Sequence, residues 1–176
     1  QRYFSNTFAT PQARDMVRTL FLSRQALAKG GAVAERGQPP HKVAVIGAGM
    51  MGAGIAYAQA AKGIDTILVD VDAAAAERGK DYARKLVGGA TAKGRMSSAA
   101  GEALLARIQT AGAIEAIAGS DLVVEAVFED IALKHDLIRR AEAVLGTDAT
   151  FGSNTSTLPI SELAQAATRR DQFVGI

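Results

Sequence analysis

The chain has 176 residues, 48% of them apolar, with 20 Lys and Arg against 18 Asp and Glu. That is enough for one sizeable core and argues against disorder. A net charge of +2 gives no reason to invoke nucleic acid or a membrane surface as partner, and the absence of cysteine excludes disulfides and thiolate chemistry.

Residues 1–10, QRYFSNTFAT, lack a secretory pattern and do not begin with Met. Thr10 and Pro11 predict a helix start, a hydroxyl cap followed by a residue with no N–H to leave unpaired. Ala13, Met16, Val17, Leu20, Phe21, Leu27 and Ala28 recur at helical spacing, and Gly30 and Gly31 are expected to end that helix. AERGQPP, to Pro40, has the composition of a linker.

From Lys42 strands and helices alternate. KVAVIG predicts a strand, Met51 to Lys62 a helix closed by Gly63, and DTILVD a second strand. A helix is expected from Asp72 to about Gly88, with GGATAKGR as a break. Ser97 or Ser98 caps the next, which runs through Leu104, Leu105 and Ile108. DLVVEAV is a third strong strand. Asp130 to Leu145 is an amphipathic helix with Leu133, Leu137, Ile138, Ala141 and Leu145 on one side. ATFGS predicts a strand, Pro159 to Ala167 a short helix, and QFVGI a last strand. The strands are apolar throughout, as in a parallel sheet covered on both faces. The expected class is therefore α/β, a Rossmann-type doubly wound, mainly parallel sheet preceded by a linker helix.

Gly47, Gly49 and Gly52 form G-x-G-x-x-G between a strand and a helix. The first permits the tight turn, the second lets a pyrophosphate approach the backbone, and the third lets the helix pack closely. The uncapped N–H groups of the helix then face the anion. Asp70 closes the second strand, where a carboxylate accepts both ribose hydroxyls of an adenosine and repels a 2′-phosphate. No Arg or Lys follows directly, which favours NAD over NADP; FAD proteins share the glycine turn.

With these residues in hand, the chain resembles the L-3-hydroxyacyl-CoA dehydrogenases, most of all the dehydrogenase part of the multifunctional fatty-acid β-oxidation enzymes. The stretches that carry the resemblance are VAVIGAGMMGAGIAYAQAAKG, LVD, DLVVEAVFED, Lys134 and SNTSTLPISELA. The resemblance implies that Gly47, Gly49, Met51 and Gly52 line the pyrophosphate and that Asp70 holds the adenine ribose of NAD. Val127, Phe128, Glu129 and Lys134 would meet the nicotinamide half. Ser156 would be the active-site serine, bonded to the substrate's C3 oxygen, with Asn154 shaping its loop. Read without the family, Glu129 and Asp130 are helix-capping acids, Lys134 a solvated lysine, and Ser156 a loop residue satisfying backbone groups.

The same resemblance divides the chain into a linker helix and flexible linker over 1–40 and a NAD-binding Rossmann domain over 41–176. The family's histidine base is expected just after Ile176, and a helical domain beyond it, so this stretch alone should hardly catalyse. The implied partners are an acyl-CoA substrate, a hydratase domain in the parent and a candidate thiolase subunit; no metal and no nucleic acid are implied. A bacterial parent would be cytoplasmic, a eukaryotic one mitochondrial or peroxisomal. The basic run of Arg78, Lys80, Arg84, Lys85, Lys93 and Arg95 is either a solvated face or a surface for CoA phosphates. His41 and His135 are not placed to serve as the base. Two alternatives stand beside this: a β-hydroxyacid dehydrogenase of the phosphogluconate type, and a non-catalytic dinucleotide-binding module.

Overall fold

The computed structural model describes residues 2–29 and 39–176. The chain forms two compact units, Gln1–Pro39 and Pro40–Ile176. The expected helix-ending glycines Gly30 and Gly31, and most of the AERGQPP linker, lie outside the described residues. Among the described residues no helix is long and apolar enough to cross a membrane.

The described residues of the first unit are mainly helical. α1 spans Arg2–Phe8, a segment with no predicted element, and α2 spans Pro11–Met16. The Thr10 hydroxyl accepts from the Ala13 N–H at 3.2 Å, the expected cap. The helix does not continue as one regular α-helix. Val17–Ser23 is π-helical, and α3 follows over Arg24–Ala28. Met16, Val17, Leu20 and Phe21, from the predicted apolar face, are exposed.

The second unit is a six-stranded sheet in the order β3-β2-β1-β4-β5-β6, every pair parallel. The strands are β1 (Lys42–Ile46), β2 (Asp65–Val69), β3 (Ile108–Ala111), β4 (Leu122–Glu125), β5 (Thr150–Ser153) and β6 (Phe173–Gly175). Alternate residues of β1 serve opposite faces, as the pleat requires. Ala44 and Ile46 join a core with Ile138 and Ala141 of α7 (Ile131–Glu142). Val43 and Val45 join another with Ala56 and Ala60 of α4 (Met50–Ala61) and Ala83 and Val87 of α5 (Ala73–Ala92). Helix cover on both faces explains why the strands show no polar alternation.

Four expectations are corrected in this unit. Gly88 and Gly89 do not break α5, which runs on to Ala92. A Cβ at either position would meet nothing, so both are tolerated on an open face, and the helix ends where Gly94 takes φ +65. α6 covers Ser98–Ala106 with Ser97 as its cap, so Ile108 is not a helical residue. It opens β3, paired through Thr66↔Ile108. In α7, Leu133 is 42% exposed while Lys134 is fully buried, the reverse of the reading at these two positions, whereas Ile138 and Ala141 are buried as predicted. The last helix, α8, is the single turn Ile160–Leu163.

Winding runs outward from β1 in one direction to β2 and β3, and in the other from β4 to β6. The carboxyl ends of β1 and β4 therefore flank the switch point where open α/β sheets bind ligands.

Candidate functional site

The turn leaving β1 is fixed by its neighbours. Gly47 sits at φ +99, a conformation that favours glycine, and a Cβ there would lie 2.6 Å from the Ala126 carbonyl oxygen. Its N–H donates to Val69 O at 2.8 Å. Gly52, in the first turn of α4, allows no side chain: a Cβ would stand 1.7 Å from Gly47 O. Gly49 differs. It caps α4 with no side-chain bond, and a Cβ on it would meet nothing within 4 Å. The space beside Gly49 is open, and the helix amino terminus faces it with no side-chain cap.

Asp70 joins this turn from β2. Its Oδ2 accepts from the Ala48 N–H at 2.6 Å and its Oδ1 from the Val71 N–H at 2.7 Å. Gly47, Gly49, Met51, Asp70, Val127 and Phe128 line one cleft of about 1010 Å³. Phe128 is 87% exposed there.

At the end of β4 lies a buried polar cluster. Glu125 and Lys134 are both fully buried, and the ammonium donates to Glu125 Oε1 at 2.8 Å and Oε2 at 3.0 Å. Glu125 Oε1 also accepts from the Val127 N–H at 2.8 Å, and Oε2 from the Ser153 hydroxyl at 2.6 Å. Each oxygen of this carboxylate thus accepts two hydrogen bonds, the condition under which a charge survives burial.

Lys134 reaches on to Glu129 Oε2 at 3.7 Å. Glu129 accepts from the Thr155 hydroxyl at 2.7 Å and from the Ser156 N–H at 3.2 Å. The Thr155 hydroxyl, helped by the Ser156 N–H and the Lys134 charge against a smaller opposing effect of burial, holds the Glu129 carboxyl below the usual range. Met51, Ala126, Val127, Glu129, Thr155 and Ser156 line a second recess of about 470 Å³. Met51, Ala126 and Val127 line both spaces, so the two adjoin.

Residues 42–176 match the family model described as 3-hydroxyacyl-CoA dehydrogenase, NAD binding domain. The chain belongs to that family. Among curated relatives, the fatty acid oxidation complex subunit alpha of Psychrobacter arcticus is 36% identical over 176 residues, 98% of this chain and 24% of that protein. Its counterpart in Pseudomonas syringae pv. syringae is 38% identical over 168 residues, 95% of this chain and 23% of that protein. The chain thus spans 24% and 23% of the length of these relatives. Among solved structures, (S)-3-hydroxybutyryl-CoA dehydrogenase from Ralstonia eutropha superposes with a TM-score of 0.75 at 31% identity, over 78% of this chain and 48% of that one. The 3-hydroxybutyryl-CoA dehydrogenase of Escherichia coli K12 also gives 0.75, at 30% identity, over 78% of this chain and 29% of that one. The phosphogluconate-type alternative is set aside by this family match.

The domain matched by the family gathers most of the predicted site residues and separates a few. Gly47, Gly49, Met51, Asp70, Val127 and Phe128 share the larger space; Met51, Val127, Glu129 and Ser156 share the smaller. Gly52 lines neither and packs behind Gly47. Lys134 lines neither; it is not a solvated lysine but a buried one, behind Glu129. The basic run is partly consumed within the domain. Arg84 pairs with Glu77 and Asp81, and Lys80 donates to Ile108 O at 2.5 Å. His135 Nε2 lies 3.1 Å from Glu162 O.

Sequence reasoning passed over Glu125 and Ser153. The available signal was a lone acid inside the apolar run DLVVEAV, which has no reason to be there unless a cation meets it.

Proposed function

We propose that this chain is the NAD-binding portion of an L-3-hydroxyacyl-CoA dehydrogenase of fatty-acid β-oxidation. The observation that carries this is the hydrogen bond joining Asp70 to the glycine turn at the sheet's switch point, beside open space at Gly49. The residues fit the coenzyme. Uncapped N–H groups of α4 suit a pyrophosphate, and Asp70 suits an unphosphorylated ribose. Val127, Phe128 and Glu129 would border the nicotinamide half, with Lys134 behind them. Bound NAD supplies the hydride acceptor for oxidation of a 3-hydroxyacyl-CoA to its 3-oxo form.

This chain's part in that reaction is binding and orientation. The Ser156 hydroxyl, exposed at the recess, would donate to the substrate's C3 oxygen, and Glu129 would hold its loop through Thr155 and the Ser156 N–H. The base we assign to a histidine of the parent outside these 176 residues. His135 is engaged with α8, and His41 precedes β1 at the opposite end of the sheet. We further assign residues 1–40 to a linker that follows a hydratase domain, since the match to the complex subunits runs over nearly the whole chain. An acyl-CoA substrate and a thiolase subunit as partner follow from the same assignment, and a bacterial parent would place the protein in the cytoplasm.

Two assays test the reading. The 176-residue chain is titrated with NADH and NADPH, and saturation by NADH alone is expected. The parent chain, extended through the following domain, is assayed for oxidation of 3-hydroxybutyryl-CoA with NAD. The extended chain should turn over and the short one scarcely, because a general base contributes about 10²–10⁴ in rate. Coenzyme binding without turnover in the extended chain would instead mark a non-catalytic dinucleotide-binding module.

A further inference from the structure

Glu125 is used by none of the contacts proposed for coenzyme or substrate, yet it is the most heavily bonded side chain near the site. Its donors come from three elements: Val127 N–H in the turn after β4, Lys134 in α7, and Ser153 at the end of β5. Those elements build the smaller recess. Val127 lines it, Ser153 leads directly into the lining residues Asn154, Thr155 and Ser156, and Lys134 faces the lining residue Glu129.

Stability alone does not account for the cluster. A buried ion pair contributes little over well-packed apolar residues of the same volume, because desolvation offsets the attraction. Its distinctive property is direction: a carboxylate that takes four hydrogen bonds from three fixed donors holds each of them in place. The charges then alternate outward, from Glu125 to Lys134 to Glu129, and Glu129 grips Thr155 and Ser156.

We propose that Glu125 is a positioning residue for the nicotinamide half of the site: by holding Val127 N–H, Lys134 Nζ and Ser153 Oγ together, it sets the wall formed by Val127 and, through Lys134, the Glu129 grip on the Ser156 loop. This rests on the NAD-binding reading above. In the adenosine half, the Asp70 carboxylate bonds Ala48 and Val71 and not the donors held by Glu125, so that half is expected to respond separately.

The test compares NADH with ADP-ribose, which lacks the nicotinamide, on the same chain. The unsubstituted chain binds NADH more tightly than ADP-ribose. Glu125→Gln removes the charge at nearly constant shape, and NADH affinity falls roughly tenfold while ADP-ribose changes by less than about twofold, the scale of one charge-assisted bond. Ser153→Ala leaves the ion pair intact, so it tests the same role even where Glu125→Gln fails to fold. It gives a smaller loss that is again confined to NADH. Equal losses for both ligands, or no loss for either, in a folded variant overturn the positioning role. A chain that binds ADP-ribose but gains nothing from the nicotinamide overturns it too, with the coenzyme reading left standing. A chain that binds neither overturns both.

Discussion

Ala48 gives its main-chain N–H to the Asp70 carboxylate at 2.6 Å, so the turn that leaves β1 and the acid that follows β2 form one hydrogen-bonded unit. Asp70→Ala would therefore remove a ribose acceptor and a brace of the phosphate turn together. Each bond to a charged group is worth about 1.5–3 kcal/mol. NADH affinity, followed by coenzyme fluorescence, is expected to fall at least about tenfold. The preference over NADPH should shrink, since the repelling carboxylate is gone.

The glycines of the turn separate binding from folding. A Cβ at Gly49 meets no protein atom, so Gly49→Ala should leave the thermal midpoint nearly unchanged while filling the open space and weakening NADH binding. A Cβ at Gly52 would strike Gly47 O, so Gly52→Ala should cost stability directly, by about 1–3 kcal/mol as overpacking does. Urea denaturation read alongside NADH titration tells the two apart.

Lys134→Met leaves Glu125 buried without its cation. Uncompensated buried charges cost about 3–5 kcal/mol, and a fall of that size in unfolding free energy is expected from urea titration. Replacing both partners, Glu125→Gln with Lys134→Met, should recover much of the loss because neither charge is then stranded.

Acid sensitivity follows from two carboxylates. Hydrogen bonds from the Lys42 and His41 N–H groups lower Asp121, and the Thr155 hydroxyl leads the lowering of Glu129. A depressed folded-state value means the stabilisation is fully present above the unfolded-state value and is lost as pH falls through the folded one. Stability should hold near neutrality and drop as pH descends through and below the ordinary carboxylate range. Thr155→Val removes the first contribution to the Glu129 shift, so its stability should decline less steeply over that acid range. Denaturation midpoints measured from about pH 7 to pH 3 would show it.

The glycine turn, Asp70 and the central strands were legible because each rests on local chemistry: a conformation that favours glycine, a strand-end acid, an unbroken apolar run. What escaped was set by distant partners. β3 is four residues at the sheet edge, and Ile108 continues the apolar spacing of α6 into it, so only pairing with Thr66 reveals the strand. Gly88 and Gly89 look like a break, yet α5 continues on its packed residues Ala83 and Val87. Without the family resemblance Lys134 reads as a surface lysine, because its acid lies nine residues away on another element. Val17–Ser23 carries nothing that distinguishes a π-helix from an α-helix.

The order of the strands also dictates how the chain must assemble. β1 lies between β2, which follows it closely, and β4, which enters far later; Lys42 and Asp121, bonded at the start of that second pairing, are 79 residues apart. Local contacts form quickly, whereas so long a closure loses more chain entropy before any bond rewards it. The β1–α4–β2 unit is thus suited to nucleate, leaving the pairing of β1 with β4 as the slow event. The wall formed by Val127 would take shape last, after the part of the cleft lined by Gly49 and Asp70.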